Sequence, residues 1–554
     1  MIAILVLEEK KSCRNHIWII NGINHEQNSS KKKSKLVFQS YDFTQMFDSM
    51  SLDITISDIY DCGVKDDLLV LLYEANKNIQ MSVSTCYGLT EAVVIPALVA
   101  QGDLFAPLLA AVQVDSMTRK LEEQDRARVE EGQPGLLFRY KGIIPIPSLG
   151  LMDDTLSVSE AGVNAEEINT FMNENSAEKR LQFNPKKCKY LDIGRNTETS
   201  VLHNTLEVDT WDISYDEKEN MIETEGPKVK MIKVNQLKYL GFVISEDASN
   251  VPNISEKKKK SIGIIRSIMN TIKGLGTYTI KNGVIYLNSL LRGSILYAAE
   301  TYYNLSERNL RSLESIEEEC IRKIFETGIG CPISLLYLET GHIPVRFQIQ
   351  IMMLNFLKYI LTQKKESLIF RFFQAQNSNP TKGDWILYIK KIMKTIDLNV
   401  TFNDISQMRN NTFKKTVETK VRKSALQYLQ SKIKSNGKEI PYQNNLKFQE
   451  YLLPNNILSL QEQRAIFSFR TRMNHLKYNY SSNNTLEHCK CGSEMTNIHL
   501  YECKMLDKSE RTVDYSKLFN GRLCEMKYLI NILLRNQNQH DQFTQAQDHT
   551  PSSH

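Results

Sequence analysis

The sequence predicts an α+β chain in two parts: a mixed region of strands and helices up to about residue 250, and a helical region beyond it. Two observations predict this. In the first part, strand-like segments alternate with helical spacing; after Lys257, apolar residues recur at helical spacing alone. The charge also changes sign at the same place. Residues 1–250 carry 26 Lys+Arg against 38 Asp+Glu, a net −12, whereas residues 251–554 carry 43 against 26, a net +17. A basic half suits polyanions, because it neutralises phosphates and releases counterions. An acidic half would repel them unless its carboxylates hold metal ions. With 554 residues, 41% hydrophobic and 24% charged, the chain is in the ordinary globular range and long enough for two to four domains.

At the amino end, seven mostly apolar residues, Met1 to Leu7, precede Glu8, Glu9, Lys10 and Lys11. That is short for a secretory core and far short of a membrane span, and no later apolar run reaches ~18 residues. The expectation is an intracellular protein of the nucleus or cytoplasm, away from membranes, whose ten cysteines are free thiols except near the carboxyl end. Asn28 to Lys35 reads as a polar, basic loop. Leu36 to Asp42, rich in aromatic and β-branched residues, reads as a strand. Leu68, Leu69, Leu71, Leu72 and Ala75 predict a helix within Val64 to Asn78. Glu122 to Pro134 is charged and contains Gly, which predicts a surface insertion, and residues 196–230 a second one. Helical patterns follow over Ile262 to Ile272, Val284 to Tyr303, Leu310 to Phe325 and Phe347 to Leu361. From Tyr388 to Lys434, Lys and Arg repeat among helix formers. Residues 536–554 are polar without periodicity, which predicts disorder. No internal repeat is present.

The sharpest local signal is Leu149 to Val158, in which apolar residues precede Asp153 and Asp154 and an alternating Leu156/Val158 segment follows. This is the pattern of a hairpin with both carboxylates at its turn. An Asp pair alone is ordinary turn chemistry, because Asp bonds nearby backbone amides. Asp42 strengthens the case, since it ends the earlier strand, with Phe47 and Asp48 just beyond. Three converging carboxylates repel one another unless a divalent cation sits between them, and magnesium suits such oxygen ligands. Two ions ~3.5–4 Å apart activate an attacking hydroxyl and stabilise the leaving oxygen in an in-line displacement.

These segments resemble the ordered motifs of a reverse transcriptase domain from a non-LTR (LINE-type) retrotransposon. Tyr41-Asp42-Phe43-Thr44-Gln45-Met46-Phe47-Asp48 is similar to the first polymerase motif, and Leu151-Met152-Asp153-Asp154 to the motif usually written Tyr/Phe-Ala-Asp-Asp. Between them, Gln101-Gly102-Asp103-Leu104-Phe105-Ala106-Pro107-Leu108 resembles the Gln-Gly-Asp-Pro-Leu-Ser-Pro block. Asn169 to Cys188, ending Leu181-Gln182-Phe183-Asn184-Pro185-Lys186-Lys187-Cys188, looks like the next palm motif. Lys238-Tyr239-Leu240-Gly241-Phe242 looks like the primer-grip motif. Five motifs in family order over about residues 36–245 make the set specific.

The resemblance implies a polymerase palm, an antiparallel sheet with packed helices, followed by an all-α thumb. Asp42, Asp153 and Asp154 would hold two Mg2+ ions. Phe47 would lie against the sugar of the incoming nucleotide, its alternative being a core aromatic. Gln101 and Gly102 would approach the template base pair, although Gly before Asp is also turn chemistry. Tyr239, Leu240 and Gly241 would seat the primer end, or form a plain hairpin. Lys187 would protonate the departing pyrophosphate, or be a surface lysine. The chain departs from the family pattern at Leu151 and Met152, at Leu104 in place of Pro and at Ala106 in place of Ser, changes that alter packing rather than metal ligands. Only 41 residues precede Asp42, where family members carry a fingers subdomain and usually an upstream endonuclease. The expectation is therefore an amino-terminal truncation, with Arg14 and Lys31 to Lys33 as the nearest substitute cations.

In the basic half, Lys257 to Lys260, Arg266, Lys273 and Lys281 read as a solvated helix face in isolation, and as a thumb following a heteroduplex backbone beside a palm. Tyr478, Tyr480, Phe467 and Phe469 could stack on unpaired bases near Arg470 and Arg472, with helix core as the other reading for the phenylalanines. Cys489, Cys491, His499 and Cys503 are separated by one, seven and three residues. Three thiolates and an imidazole suit structural Zn2+ with no open position, and the set resembles the Cys-Cys-His-Cys element after the thumb of these retroelements; the alternative is reduced bystander cysteines.

The expected organisation is a fingers remnant or loop over 1–35, a palm over 36–250 and a thumb over 251–345. A basic helical connection over 346–480, the zinc element over 481–510 and a tail over 536–554 complete it. The expected function is RNA-directed DNA polymerisation, taking an RNA template, a DNA primer and deoxynucleoside triphosphates. The alternative is an inactive or co-opted remnant that binds nucleic acid without polymerising.

Overall fold

In a computed structural model, the described residues are 12–29, 35–77, 79–94, 106–151, 153–160, 162–194, 205–215, 221–274, 279–328, 330–435, 446–452, 458–471 and 492–493. The chain divides into two compact units. The first comprises Met1–Asn253, Glu300–Leu305 and Phe356–Lys391, and the second Ile254–Ala299, Ser306–Asn355 and Ile392–His554. The fold is mixed α+β, with a largely antiparallel sheet and packed helices in the first unit and helices in the second, as the sequence predicts.

The first unit is built on a five-stranded sheet. Its strands are β1 (Leu36–Asp42), β2 (Leu149–Leu151), β3 (Asp154–Glu160), β4 (Lys189–Ile193) and β5 (Ile232–Lys233), in the order β5-β4-β1-β3-β2. Every pairing is antiparallel except β4 with β5. β1 has the bounds its composition predicts, and it is central because its side chains are buried on both faces as far as Phe38. Alternation puts Val37, Gln39 and Tyr41 on one face and Leu36, Phe38, Ser40 and Asp42 on the other. The Gln39 side chain donates to the Ala165 carbonyl (2.7 Å), and the Tyr41 hydroxyl donates to Gln39 (2.8 Å). The first face therefore packs on the helix Val163–Glu178, and a core of Val37, Tyr41, Val112, Met117, Ile168 and Met172 fills that side. Asp42 projects from the opposite face.

Two segments differ from the sequence expectation. Cys13–Ser29 forms a helix, α1, where 1–35 reads as loop or fingers remnant. Ile17, Trp18, Ile19, Ile20 and Ile23 are buried together with Asn15, His16, Asn24 and His25, so burial runs round most of the helix and leaves no one-sided apolar stripe to recognise. Trp18 meets the rings of Phe356, Phe372 and Trp385 edge-on at 5.2–5.8 Å. Next, Glu122 to Glu130 is not a surface insertion but the last turns of the helix Ala106–Glu130, α2 here. Its charges line exposed faces, except for buried Asp125, which accepts from Leu137 N (2.9 Å) and Arg139 (2.8 Å) and ties the returning chain to the helix. Within 196–230, read from sequence as a second insertion, the described residues form two ladders: Trp211–Tyr215 pairs with Met221–Glu225, and Glu207–Val208 with Val229–Lys230. The predicted helix within Val64 to Asn78 is present as Asp66–Asn76.

Strands β6 (Gln236–Tyr239) and β7 (Phe242–Ser245) form a separate hairpin. Its two turn residues, Leu240 and Gly241, have φ of +47° and +74°, the two-residue type I′ geometry that matches strand twist.

The second unit is helical. In the helix Val251–Gly274, Ile254, Lys257, Ser261, Ile265, Ile268 and Ile272 are buried at three- and four-residue spacing, while Lys258, Lys259, Lys260 and Arg266 are exposed. Lys257 is an exception to the expected solvated run: its ammonium donates to the Ile295 (3.0 Å) and Tyr297 (2.7 Å) carbonyls. Val284 to Tyr303 is not one helix. The winding widens to π over Leu287–Arg292, and the chain breaks at Ala298, whose φ is +52°. Helix Glu307–Phe325 covers the expected Leu310 to Phe325, whereas Tyr388 to Lys434 is split among Trp385–Thr395, Phe402–Gln407 and Asn410–Ser435. Phe467 is core, packed on Phe325 at 4.8 Å, and Arg470 pairs with buried Glu339 at 2.9 Å. Tyr478, Tyr480, Arg472, the tail and the side chain of Phe469 lie outside the described residues, as does the side chain of Lys273. The six described cysteines are all free. Among the described residues no helix is long and apolar enough to cross a membrane.

Candidate active site

Strands β2 and β3 are joined by residues 152–153, with Leu151 opposite Asp154, so the hairpin predicted from the Asp pair is present. Asp153 lies in the turn and Asp154 is the first residue of β3. Across the other ladder, Asp154 pairs with Asp42, the last residue of β1. Directly opposed residues of an antiparallel pair project from the same face, with Cβ atoms ~4.5–5.5 Å apart. Two of the three predicted carboxylates thus meet through β-sheet register, and the third adjoins them in the turn.

The segment Gln182 to Cys188 closes the site from the β4 side. Thr44 N donates to Gln182 O, and Asn184 N to Asp42 O, both at 2.7 Å, while the Phe43 and Phe183 rings stack at 4.7 Å. Asn184 Oδ1 accepts from Lys186 N (3.1 Å), and its carbonyl accepts from Lys187 N and Cys188 N, which folds the chain over Pro185. This turn brings Lys187 Nζ to 2.9 Å from Asp42 Oδ1.

The electrostatics follow from this crowding. The Asp154 carboxyl is pushed up from its ordinary range by burial first, then by the charges of Asp153 and Asp42; Lys187 and Lys238 act in the opposite sense. The Lys187 ammonium is pushed up, first by its hydrogen bond to Asp42 and then by that carboxylate's charge. An ammonium held in its charged form is a weaker acid, and in this arrangement it neutralises part of the site.

The expectation of three carboxylates caging hard cations is met only in part. The donor chemistry fits a hard divalent ion, since the oxygens come from carboxylates and burial with mutual repulsion leaves negative charge uncompensated. Yet among the described residues no group of three or more His, Cys, Asp and Glu side chains is arranged to hold a metal ion. At this site one Asp42 oxygen is engaged by Lys187.

Phe47, in the short helix Met46–Ser49, is half-buried and packs against the core beside buried Met46 and Met50. Tyr239, Leu240 and Gly241 form the end and turn of the β6–β7 hairpin. Tyr239 is buried, and its hydroxyl donates to the Leu149 carbonyl at 2.6 Å, at the foot of the Asp hairpin. Sequence reasoning missed His16, whose Nδ1 lies 3.2 Å from that hydroxyl; a histidine preceding Ile17 to Ile20 carries no signal beyond helix core. Lys238, quoted in the primer-grip motif without a role of its own, places a charge that acts on Asp154. Gln101, Gly102, Cys489, Cys491, His499 and Cys503 lie outside the described residues.

No curated protein matches the chain. Among solved structures it is similar to the telomerase of Candida albicans in complex with a TWJ fragment of telomeric RNA, at 10% identity and a TM-score of 0.33, over 57% of this chain and 51% of that one. The chain thus spans about half the length of that telomerase chain. Residues 6–244 match the family model described as reverse transcriptase (RNA-dependent DNA polymerase), and in that segment the chain carries a reverse transcriptase domain.

Proposed function

We propose that the chain is an RNA-directed DNA polymerase of the retrotransposon type, extending a primer 3′-hydroxyl on an RNA template with deoxynucleoside triphosphates. The observation that carries this reading is the register of Asp42 with Asp154 beside Asp153, within a segment that matches the reverse transcriptase family. Asp42, Asp153 and Asp154 are the residues that would hold Mg2+, which when bound supplies Lewis-acid activation of the attacking hydroxyl and charge stabilisation at the leaving oxygen.

The remaining roles belong to the chain's own side chains. With a cation held by the carboxylates, Lys187 would release Asp42 and its ammonium would be free for the phosphates of the incoming nucleotide. Phe47 is a wall for the sugar. The turn at Leu240 and Gly241 seats the primer end. Lys258, Lys259, Lys260 and Arg266 offer exposed charge to a phosphate backbone. Cys489, Cys491, His499 and Cys503 are proposed as a structural Zn2+ set.

A second reading, a nucleic-acid-binding protein without polymerase activity, is favoured by the ion pair that engages Asp42 and by the lack of a metal-ready set among the described residues. Primer extension on an RNA template, with and without Mg2+, separates the two. Incorporation supports the polymerase, and salt-sensitive binding without incorporation supports the alternative.

A further inference from the structure

We infer that His16 and Tyr239 are positioning residues that hold the Asp153–Asp154 hairpin at its working height; the inference rests on reading that hairpin as part of a polymerase site. The Tyr239 hydroxyl oxygen lies 2.6 Å from the Leu149 carbonyl and 3.2 Å from His16 Nδ1. A carbonyl only accepts, so the single phenolic proton goes to Leu149. Tyr239 Oη can then only accept from His16, which fixes the imidazole proton on Nδ1. The result is a directed chain, from His16 Nδ1–H to Tyr239 O–H to the Leu149 carbonyl.

All three groups are buried, so each bond forms away from competing water. The donor end is itself fixed, because α1 grips the other strand of the same hairpin: Asn24 Nδ2 donates to Ser245 O (2.8 Å), and Asn28 Nδ2 to Glu246 O (3.0 Å). The receiving end needs support. β2 is three residues long and lies at the edge of the sheet, and among the described residues its strand partner is β3 alone. Beside it is a cavity of about 950 Å³, lined in part by His16, Leu149, Gly150 and Leu151. On that side the Tyr239 hydroxyl meets the strand backbone from a second element. A catalytic group misplaced by ~1 Å loses about 100-fold in rate, so a short edge strand that leads into the turn carrying Asp153, with Asp154 just beyond it, gains from such a tether. The same tyrosine opens the turn at Leu240 and Gly241, so one residue couples that turn to the aspartates.

Tyr239→Phe removes the hydroxyl and keeps the ring; His16→Phe removes the donor. Tyr302→Phe is the control, since it also loses a buried hydroxyl, here one that accepts from Asn253 at 2.8 Å. Hydrogen exchange of the full chain without metal should be about two- to tenfold faster over residues 149–156 in the two relay variants, the effect of losing one net hydrogen bond. Tyr302→Phe should leave that segment unchanged. The double variant should resemble the more affected single one, because the bonds act in series. Unchanged exchange in Tyr239→Phe, or equal acceleration in Tyr302→Phe, overturns the relay. In primer extension Tyr239→Phe should lower kcat about tenfold, with little change in the nucleotide KM, if the tether sets carboxylate position. A wild-type chain that incorporates no nucleotide sinks the polymerase reading, while the exchange result still decides the relay.

Discussion

Lys187 Nζ lies 2.9 Å from Asp42 Oδ1, so the cation nearest the acidic site is supplied by the chain itself. Lys187 is largely exposed and Asp42 is not, which makes the lysine the partner that can leave. Lys187→Met should tighten Mn2+ binding to the purified protein, by no more than about fivefold, because exposed pairs are worth only ~0.2–1 kcal/mol. Weaker Mn2+ binding in a titration would show that Lys187 helps to form the site rather than competing for it.

The raised Asp154 carboxyl has a pH signature. Its folded-state affinity for a proton exceeds that of the unfolded chain, so its contribution to stability is fully present at acid pH. That contribution is lost as pH rises from the ordinary aspartate range through the raised value. Asp154→Asn should therefore raise the metal-free Tm at neutral pH, and the gain should shrink on acidification and on adding Mn2+. Thermal unfolding of both proteins between about pH 4 and 7 checks this; a gain that grows towards acid would refute it.

Packing behind the hairpin gives a third prediction. A Cβ at Gly150 would come 2.3 Å from Val114 Cγ1 on α2, so the hairpin lies against that helix with no room for a methyl group. Gly150→Ala should destabilise the first unit by about 1–3 kcal/mol, the range of overpacked cores, and adding Val114→Ala should recover much of the loss. Denaturant unfolding of the single and double variants measures it. Additive losses would mean that the two residues do not compete for the same space.

In the second unit, Glu339 is fully buried and accepts from Arg470 (2.9 Å) and from the Tyr451 hydroxyl (2.8 Å). Removing one member of a buried pair strands the other charge, at a cost of about 3–5 kcal/mol. Glu339→Gln should therefore unfold this unit at lower denaturant than wild type. An unchanged midpoint would mean that the pair is hydrated in solution.

Where local chemistry and final environment agree, the fold was legible in the residues. Leu36–Asp42 reads as a strand because its aromatic and β-branched side chains are buried on a pleated sheet, and the Asp pair marks a turn because two residues join β2 to β3. The meeting of Asp42 with Asp154 is a register fact, visible beforehand only through the motif order. Helix α1 was illegible because burial on most sides erases periodicity, and its buried polar residues reach partners more than 200 positions away. The last turns of α2 were misread because a charged helix surface and a charged loop share a composition. His16 carries no local mark; its role depends on a tyrosine 223 residues later.

The central claim is that Asp42, Asp153 and Asp154 perform nucleotidyl transfer together. Primer extension by the purified chain on an RNA template, with Mg2+ and deoxynucleoside triphosphates, tests it most directly when run beside Asp42→Asn and Asp153→Asn. The account predicts Mg2+-dependent extension by the wild type and a loss of at least about 100-fold in each variant, the scale of removing a group that stabilises transition-state charge. Extension that survives either substitution, or none by a wild-type chain that still binds the primer–template, would contradict it.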